Sequence, residues 1–117
     1  MKPLALIIED NQDQNLIFTT ALDQAGFETE SILEGSAAQT RLKEIIPNVV
    51  VLDLHIPGVH GEILLRQIRS DQRLAGVRVI LATADAALAG ELQSQADLVL
   101  LKPVSFSQLS TLAMRLM

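Results

Sequence analysis

Cysteine is absent from the 117 residues, which excludes disulfides and thiol catalysis without identifying a compartment. Tryptophan and tyrosine are absent too, and the only aromatics are Phe18, Phe27 and Phe106. The core must therefore be aliphatic, drawn from the Leu, Ile, Val and Ala that make up most of a 49% apolar chain. Basic charge is scarce: nine Lys and Arg against fourteen Asp and Glu leave a net charge of −5. That balance argues against nucleic acid or an anionic membrane as the direct partner, because either rewards a basic face. No apolar run approaches the roughly 18 residues of a membrane span, and Met-Lys-Pro-Leu does not begin a secretory signal. A soluble cytoplasmic domain is the expected setting. Linkers, repeats and low-complexity tracts are missing, so residues 1–117 are expected to form one domain with no output domain after the last helix.

What the chain does have is four short apolar runs that each stop at a residue suited to phosphoryl chemistry. Leu4–Ile8 stops at Glu9-Asp10, Val49–Leu52 at Asp53, Val77–Ala82 at Thr83 and Leu98–Leu101 at Lys102-Pro103. Runs of this length with polar ends predict buried strands. Between them the apolar spacing turns helical, giving a β-α-β-α-β-α-β-α-β-α order. This predicts an α/β fold with a mostly parallel sheet and helices on both faces.

The first helix is expected over about Gln12–Ala25, with Ile17, Ala21 and Ala25 inward, Phe18 and Leu22 beside them, and Gly26 as its stop. Phe27–Leu33 carries Glu28 and Glu30, with Glu34 just beyond, and belongs at a sheet edge. Ser36-Ala-Ala-Gln39 has the form of a capping box for the second helix, which Pro47 limits. A third helix is expected from about Glu62 with Ile63, Leu64, Leu65 and Ile68 inward. A fourth spans Asp85–Gln95 around Gly90, and a fifth is capped by Ser105 with a stripe of Phe106, Leu109, Leu112 or Ala113, and Leu116.

In a parallel sheet the strand ends line one edge, where open α/β sheets bind ligands. If the first and third strands are neighbours, Glu9, Asp10 and Asp53 converge. Like charges about 4 Å apart cost about 4 kcal/mol at an effective dielectric of 20, so such a cluster holds a proton or recruits a cation. Oxygen ligands with open positions suit Mg²⁺. The simpler alternative for Glu9 and Asp10 is favourable placement at the first helix N-terminus. Asp53 continues a central strand, where a carboxylate is costly unless paired; it could act as a nucleophile toward phosphorus or cap the following turn. The Thr83 hydroxyl could donate to a phosphoryl oxygen, and the Lys102 ammonium is a compact charge for one, or simply a lysine reaching for solvent. The bond before Pro103 is a candidate cis peptide. His55 and His60 lack the further ligands a transition-metal site needs, and His55 would offer its backbone carbonyl instead.

Taken in order, Glu9-Asp10, then Asp53 in Val-Leu-Asp-Leu-His-Ile-Pro-Gly with Gly61 beyond, then Thr83-Ala84 and Lys102-Pro103, resemble the receiver domain of two-component response regulators. The resemblance spans essentially the whole chain. It implies a flavodoxin-like doubly wound five-stranded parallel sheet of order 2-1-3-4-5. It also implies that Asp53 accepts a phosphoryl group from a sensor histidine kinase or histidine phosphotransfer protein. Asp10, Asp53 and the His55 carbonyl would then ligate Mg²⁺, with Glu9 bound through water, while Lys102 and Thr83 hold the phosphoryl oxygens. A self-dimer or a downstream protein target would read the modification; the domain would catalyse its own phosphorylation and slow hydrolysis rather than turn over a separate substrate.

Two departures concern the readout. Many receivers carry an aromatic three positions before the lysine, where this chain has Val99. The interval from Thr83 to Lys102 is also a few residues short. A phosphorylation-independent binding module and an aspartate-nucleophile phosphohydrolase are the competing classes. The second commonly places an acid two residues after the nucleophile, where His55 stands.

Overall fold

The computed structural model describes residues 1–117. Strands β1 (Leu4–Ile8), β2 (Glu28–Ile32), β3 (Val49–Leu52), β4 (Arg78–Thr83) and β5 (Leu98–Leu101) alternate with helices. These are α1 (Gln12–Gln24), α2 (Gly35–Glu44), α3 (Gly61–Ser70), α4 (Ala86–Leu92) and α5 (Phe106–Met114). Every neighbouring strand pair is parallel, and the sheet order is β2-β1-β3-β4-β5. The doubly wound expectation is met.

Burial on both sides explains the continuous apolar runs of β1, β3 and β4. Ala5, Ile7, Val51 and Ile80 face a layer that includes Phe18 and Leu22 of α1 and Leu109 of α5. Leu6, Ile8, Val50 and Leu81 face the other layer, with Leu42 of α2, Leu64 of α3 and Ala89 of α4. Glutamate-bearing β2 lies at one edge, as its charge suggests, and its Glu30 pairs with Arg41 of α2 at 2.7 Å.

The helices depart from expectation in informative ways. The buried face of α1 is Asn15, Phe18, Ala21 and Leu22, while Ile17 is 43% exposed. The stripe is centred on Phe18, and Asn15 takes the place of an apolar residue one turn earlier. In α3, which begins at Gly61, the buried set is Gly61, Leu64, Leu65 and Ile68, and Ile63 is 50% exposed. One residue is 100° of rotation, enough to carry Ile63 out of a stripe spaced i, i+3, i+4, i+7.

Ser36 does not cap α2. The cap is Glu34, whose carboxylate accepts the Ala37 N–H at 3.0 Å and the Ser36 hydroxyl at 2.9 Å. Helix α4 stops at Leu92 and tightens into a 3-10 turn over Gln93–Gln95. Ser105 caps α5 as expected, accepting the Gln108 N–H, and Ala113 rather than Leu112 is the fully buried choice. Gly26 ends α1 with φ +108°, and the Lys102-Pro103 peptide is cis.

Two glycines illustrate opposite constraints. A Cβ on Gly61 would stand 2.3 Å from the Asp53 carbonyl oxygen, so α3 can approach the end of β3 only without a side chain. A Cβ on Gly90 would meet nothing within 4 Å. Gly61→Ala should therefore lower stability by about 1–3 kcal/mol through forced displacement. Gly90→Ala should raise it by up to about 1 kcal/mol through helix propensity. Urea unfolding of the two variants beside the parent checks both signs.

Candidate functional site

The carboxyl ends of β1, β3, β4 and β5 deliver the polar residues to one edge. Glu9 and Asp53 each extend the ladder by one bond beyond their strands, Glu9 N–H to Ile32 O at 3.1 Å and Asp53 N–H to Ile8 O at 3.0 Å. That fixes their side chains at the rim, where Glu9 is 1% and Asp53 6% exposed. Asp10 is exposed, yet one carboxylate oxygen from each of Glu9, Asp10 and Asp53 lies within 4.8 Å of the others. Helix α1 does not need the acids as caps, because Asn11 Oδ1 accepts the Gln14 N–H at 2.9 Å.

Lys102 leaves β5 with its N–H on Thr83 O at 2.9 Å, and its ammonium reaches across β4. There Nζ donates to Glu9 Oε1 at 2.7 Å and Asp53 Oδ2 at 3.1 Å. Asp53 Oδ1 meanwhile accepts the His55 N–H at 3.3 Å. Burial pushes the Glu9 carboxyl up to about 7, aided by the Asp53 charge and opposed by Lys102 and the Asn11 N–H. Burial alone would lower Lys102, but hydrogen bonds to Glu9 and Asp53 and their charges outweigh it and hold the ammonium above its ordinary range.

Three carboxylates against one ammonium leave two negative charges when all are ionised. The donors are all oxygen, and Asp10 opens the cluster to solvent. This set fits a hard divalent cation of the Mg²⁺ kind.

The other anticipated residues are placed differently. Thr83 is fully buried, and its hydroxyl accepts the Asp85 N–H at 3.1 Å. The exposed His55 ring turns to Asp85, with Nε2 at 2.7 Å from Oδ2. Asp85, absent from the sequence-based site, is held below the usual carboxylate range by the Leu88 N–H it accepts and by His55. His60 stands before α3 without a side-chain capping bond. With His55, Leu54, Glu62, Ile63 and Leu88 it lines a cavity of about 310 Å³ that none of Glu9, Asp10 and Asp53 lines.

Asn15 was missed as well. Its amide donates to Glu9 O at 2.9 Å and Ile32 O at 3.2 Å, bracing the backbone that carries Glu9. An asparagine inside an otherwise apolar stripe was the available signal.

The profile of response regulator receiver domains matches residues 5–113. The chain belongs to that family. The phosphate regulon transcriptional regulatory protein PhoB of Rhizobium meliloti (strain 1021) is 31% identical over 112 residues, covering 93% of this receiver and 49% of that protein. The DNA-binding response regulator MtrA of Mycolicibacterium smegmatis is 34% identical over 108 residues, covering 88% and 45% respectively. The receiver thus spans about half the length of these relatives. Among solved structures, a CheY-like receiver domain from Methylobacillus flagellatus superposes with TM-score 0.86 at 23% identity, covering all of both chains. The receiver domain of the sensor histidine kinase PA1611 from Pseudomonas aeruginosa PAO1, whose structure has magnesium in its active-site cleft, also gives 0.86, at 23% identity and 98% and 97% coverage. These likenesses establish the flavodoxin-like receiver fold. No helix is long and apolar enough to cross a membrane.

An ion that binds only the folded acid cluster stabilises the receiver by RT ln(1+[Mg²⁺]/Kd). Saturating Mg²⁺ should therefore add about 1–3 kcal/mol over EDTA, and Asp10→Asn should shrink the increment. Thermal melts across a Mg²⁺ titration measure it; a midpoint that ignores Mg²⁺ would remove the metal site.

Proposed function

We propose that Asp53 is the phosphoacceptor of a two-component signalling domain spanning residues 1–117, and that a histidine kinase or histidine phosphotransfer protein supplies the phosphoryl group. The observation carrying this reading is the Lys102 ammonium, shared between Glu9 and Asp53 at the crevice where four strands end. An amine that neutralises a buried nucleophilic carboxylate also stands ready for the charge of an arriving phosphoryl group.

An Asp53 carboxylate oxygen attacks phosphorus of the donor phosphohistidine. The P–N bond breaks as the P–O bond forms, and the product is an acyl phosphate with the imidazole released. Little covalent chemistry falls to the protein, whose part is positioning and charge neutralisation. Asp10, Asp53 and the His55 carbonyl would hold Mg²⁺, with Glu9 behind them; when bound, it supplies charge neutralisation to the phosphoryl oxygens. Lys102 and the Thr83 hydroxyl would bind those oxygens. Water later cleaves the acyl phosphate slowly, so the domain resets itself without acting on a separate substrate.

On this reading the domain works in the cytoplasm and passes its state to a self-dimer or downstream protein target. The relatives named PhoB and MtrA carry regulatory names and extend well beyond the matched half. Val99, half-buried against the layer containing Leu88 and Ala96, is too short to act as a swinging ring, so the response should concentrate in the turn after Thr83.

Incubation with acetyl phosphate and Mg²⁺ should add one phosphoryl group by intact mass, and Asp53→Asn should abolish it. Lys102→Ala should slow the gain by about a hundredfold, the scale of losing one preorganised charge donor. Labelling that persists in the Asn variant would refute Asp53 as acceptor.

A further inference from the structure

The hydroxyl read as a donor to a phosphoryl oxygen already accepts a hydrogen bond that orients it. Thr83 Oγ1 accepts the Asp85 N–H at 3.1 Å in the turn leading into α4. Asp85 Oδ1 accepts the Leu88 N–H at 3.0 Å, and Oδ2 lies 2.7 Å from His55 Nε2. An ionised carboxylate only accepts, so His55 carries a proton on Nε2. His55 is itself attached to the acceptor, since its N–H donates to Asp53 Oδ1 at 3.3 Å. A continuous chain of contacts thus runs from Asp53 through His55 and Asp85 to Thr83, joining the β3–α3 and β4–α4 loops.

We propose that the His55–Asp85 hydrogen bond is a latch and that both are positioning residues. It holds the start of α4, and with it the Thr83 hydroxyl, in the unphosphorylated arrangement. The proposal deepens the reading of Asp53 as phosphoacceptor and rests on it.

The two Asp53 oxygens are oriented by different groups, Oδ2 by Lys102 and Oδ1 by the His55 N–H. A phosphoryl group on either oxygen turns it into the bridging oxygen of an acyl phosphate, a weaker acceptor, and disturbs one of those contacts. Any turn of Thr83 toward the new group pulls on the Asp85 N–H that it accepts. A group on Oδ1 would pull the bridge from its His55 end and a turn of Thr83 from its Asp85 end, whereas a group on Oδ2 would act on it through Thr83 alone.

Helix α4 is suited to respond. Its far end is fastened by Arg69, which donates from Nε to Gln95 O at 2.6 Å and from a terminal nitrogen to Asp97 at 3.0 Å. Between the fastenings at Asp85 and Gln95 lie nine residues, seven of them in α4 and one of these Gly90, beside which a Cβ would find open space. Opening the latch frees one end while the other stays pinned.

The latch belongs only to the resting state, so removing it should favour the phosphorylated arrangement. Beryllofluoride with Mg²⁺, titrated into the whole chain and followed by amide chemical shifts, reads this directly. His55→Ala should tighten beryllofluoride binding about three- to tenfold, the worth of one partly exposed hydrogen bond. His55→Gln carries an amide N–H at similar reach and should return binding to within about twofold of the parent. Asp85→Ser keeps a cap for α4 but loses the carboxylate, and should behave as His55→Ala. A residue that merely supported the fold would lower the melting point without tightening the ligand. Unchanged or weaker binding in His55→Ala, with normal binding by the parent, overturns the latch alone. Failure of the parent to bind beryllofluoride overturns the phosphoacceptor reading and the latch with it.

Discussion

The lysine that spans the sheet edge is the contact on which the rest of the site depends. Lys102 leaves β5, passes over the end of β4 and divides its ammonium between Glu9 and Asp53, which follow β1 and β3. Burying both acids, at 1% and 6% exposure, is costly without such a partner, because desolvating a carboxylate costs several kcal/mol. One ammonium does not balance three carboxylates, and Glu9, displaced to about 7 mainly by burial, is pushed further up by the Asp53 charge. The pocket is poised between taking up a proton and taking up a cation. A divalent ion would offset the two excess negative charges, and together with Lys102 it would face the charge of any phosphoryl group brought to the crevice.

The sheet order makes this convergence possible. With β1 between β2 and β3, the connection after β1 runs to one side and the connection after β3 to the other, opening a crevice at the carboxyl edge. Packing then keeps the crevice in shape. Asn15 ties the Glu9 and Ile32 carbonyls to α1, and Gly61 lets α3 close against the Asp53 backbone. Such bracing is costly to disturb, since Asn15 is 2% exposed and its loss would take this donor from the Glu9 carbonyl, while Ile32 O would keep the Glu9 N–H.

The strand ends were legible because they rest on the strongest sequence signal available, apolar runs cut off by polar residues. β1, β3 and β5 fall on the residues expected, and parallel pairing brings their ends together. Helix orientation was less legible. Ile17 and Ile63 are apolar neighbours of buried residues, and the 100° step that exposes them depends on where each helix docks. The Glu34 cap was hidden because glutamate is an uncommon cap; it works here while the Gly35 N–H is taken by Pro57 O at 2.8 Å. The partnership of His55 with Asp85 joins residues thirty apart, and no local pattern announces it.

Rigidity is unevenly distributed around the crevice, and that asymmetry bears on signalling. On the β1–β3 side, buried strands, the Asn15 amide and the tight Gly61 contact leave the acids little freedom. On the β4–β5 side, α4 has seven residues, one of them Gly90, and its first turn depends on Asp85 and the groups that Asp85 holds. Segments of low local stability are where an added group can shift an equilibrium, because little native interaction must be given up. A chain with Val99 where many receivers have an aromatic ring cannot transmit through a ring rotation. If Asp53 takes the phosphoryl group as proposed, the work of sensing it would fall to the short polar path from Asp53 through His55 and Asp85 to Thr83, which ends at the shortest α-helix in the fold.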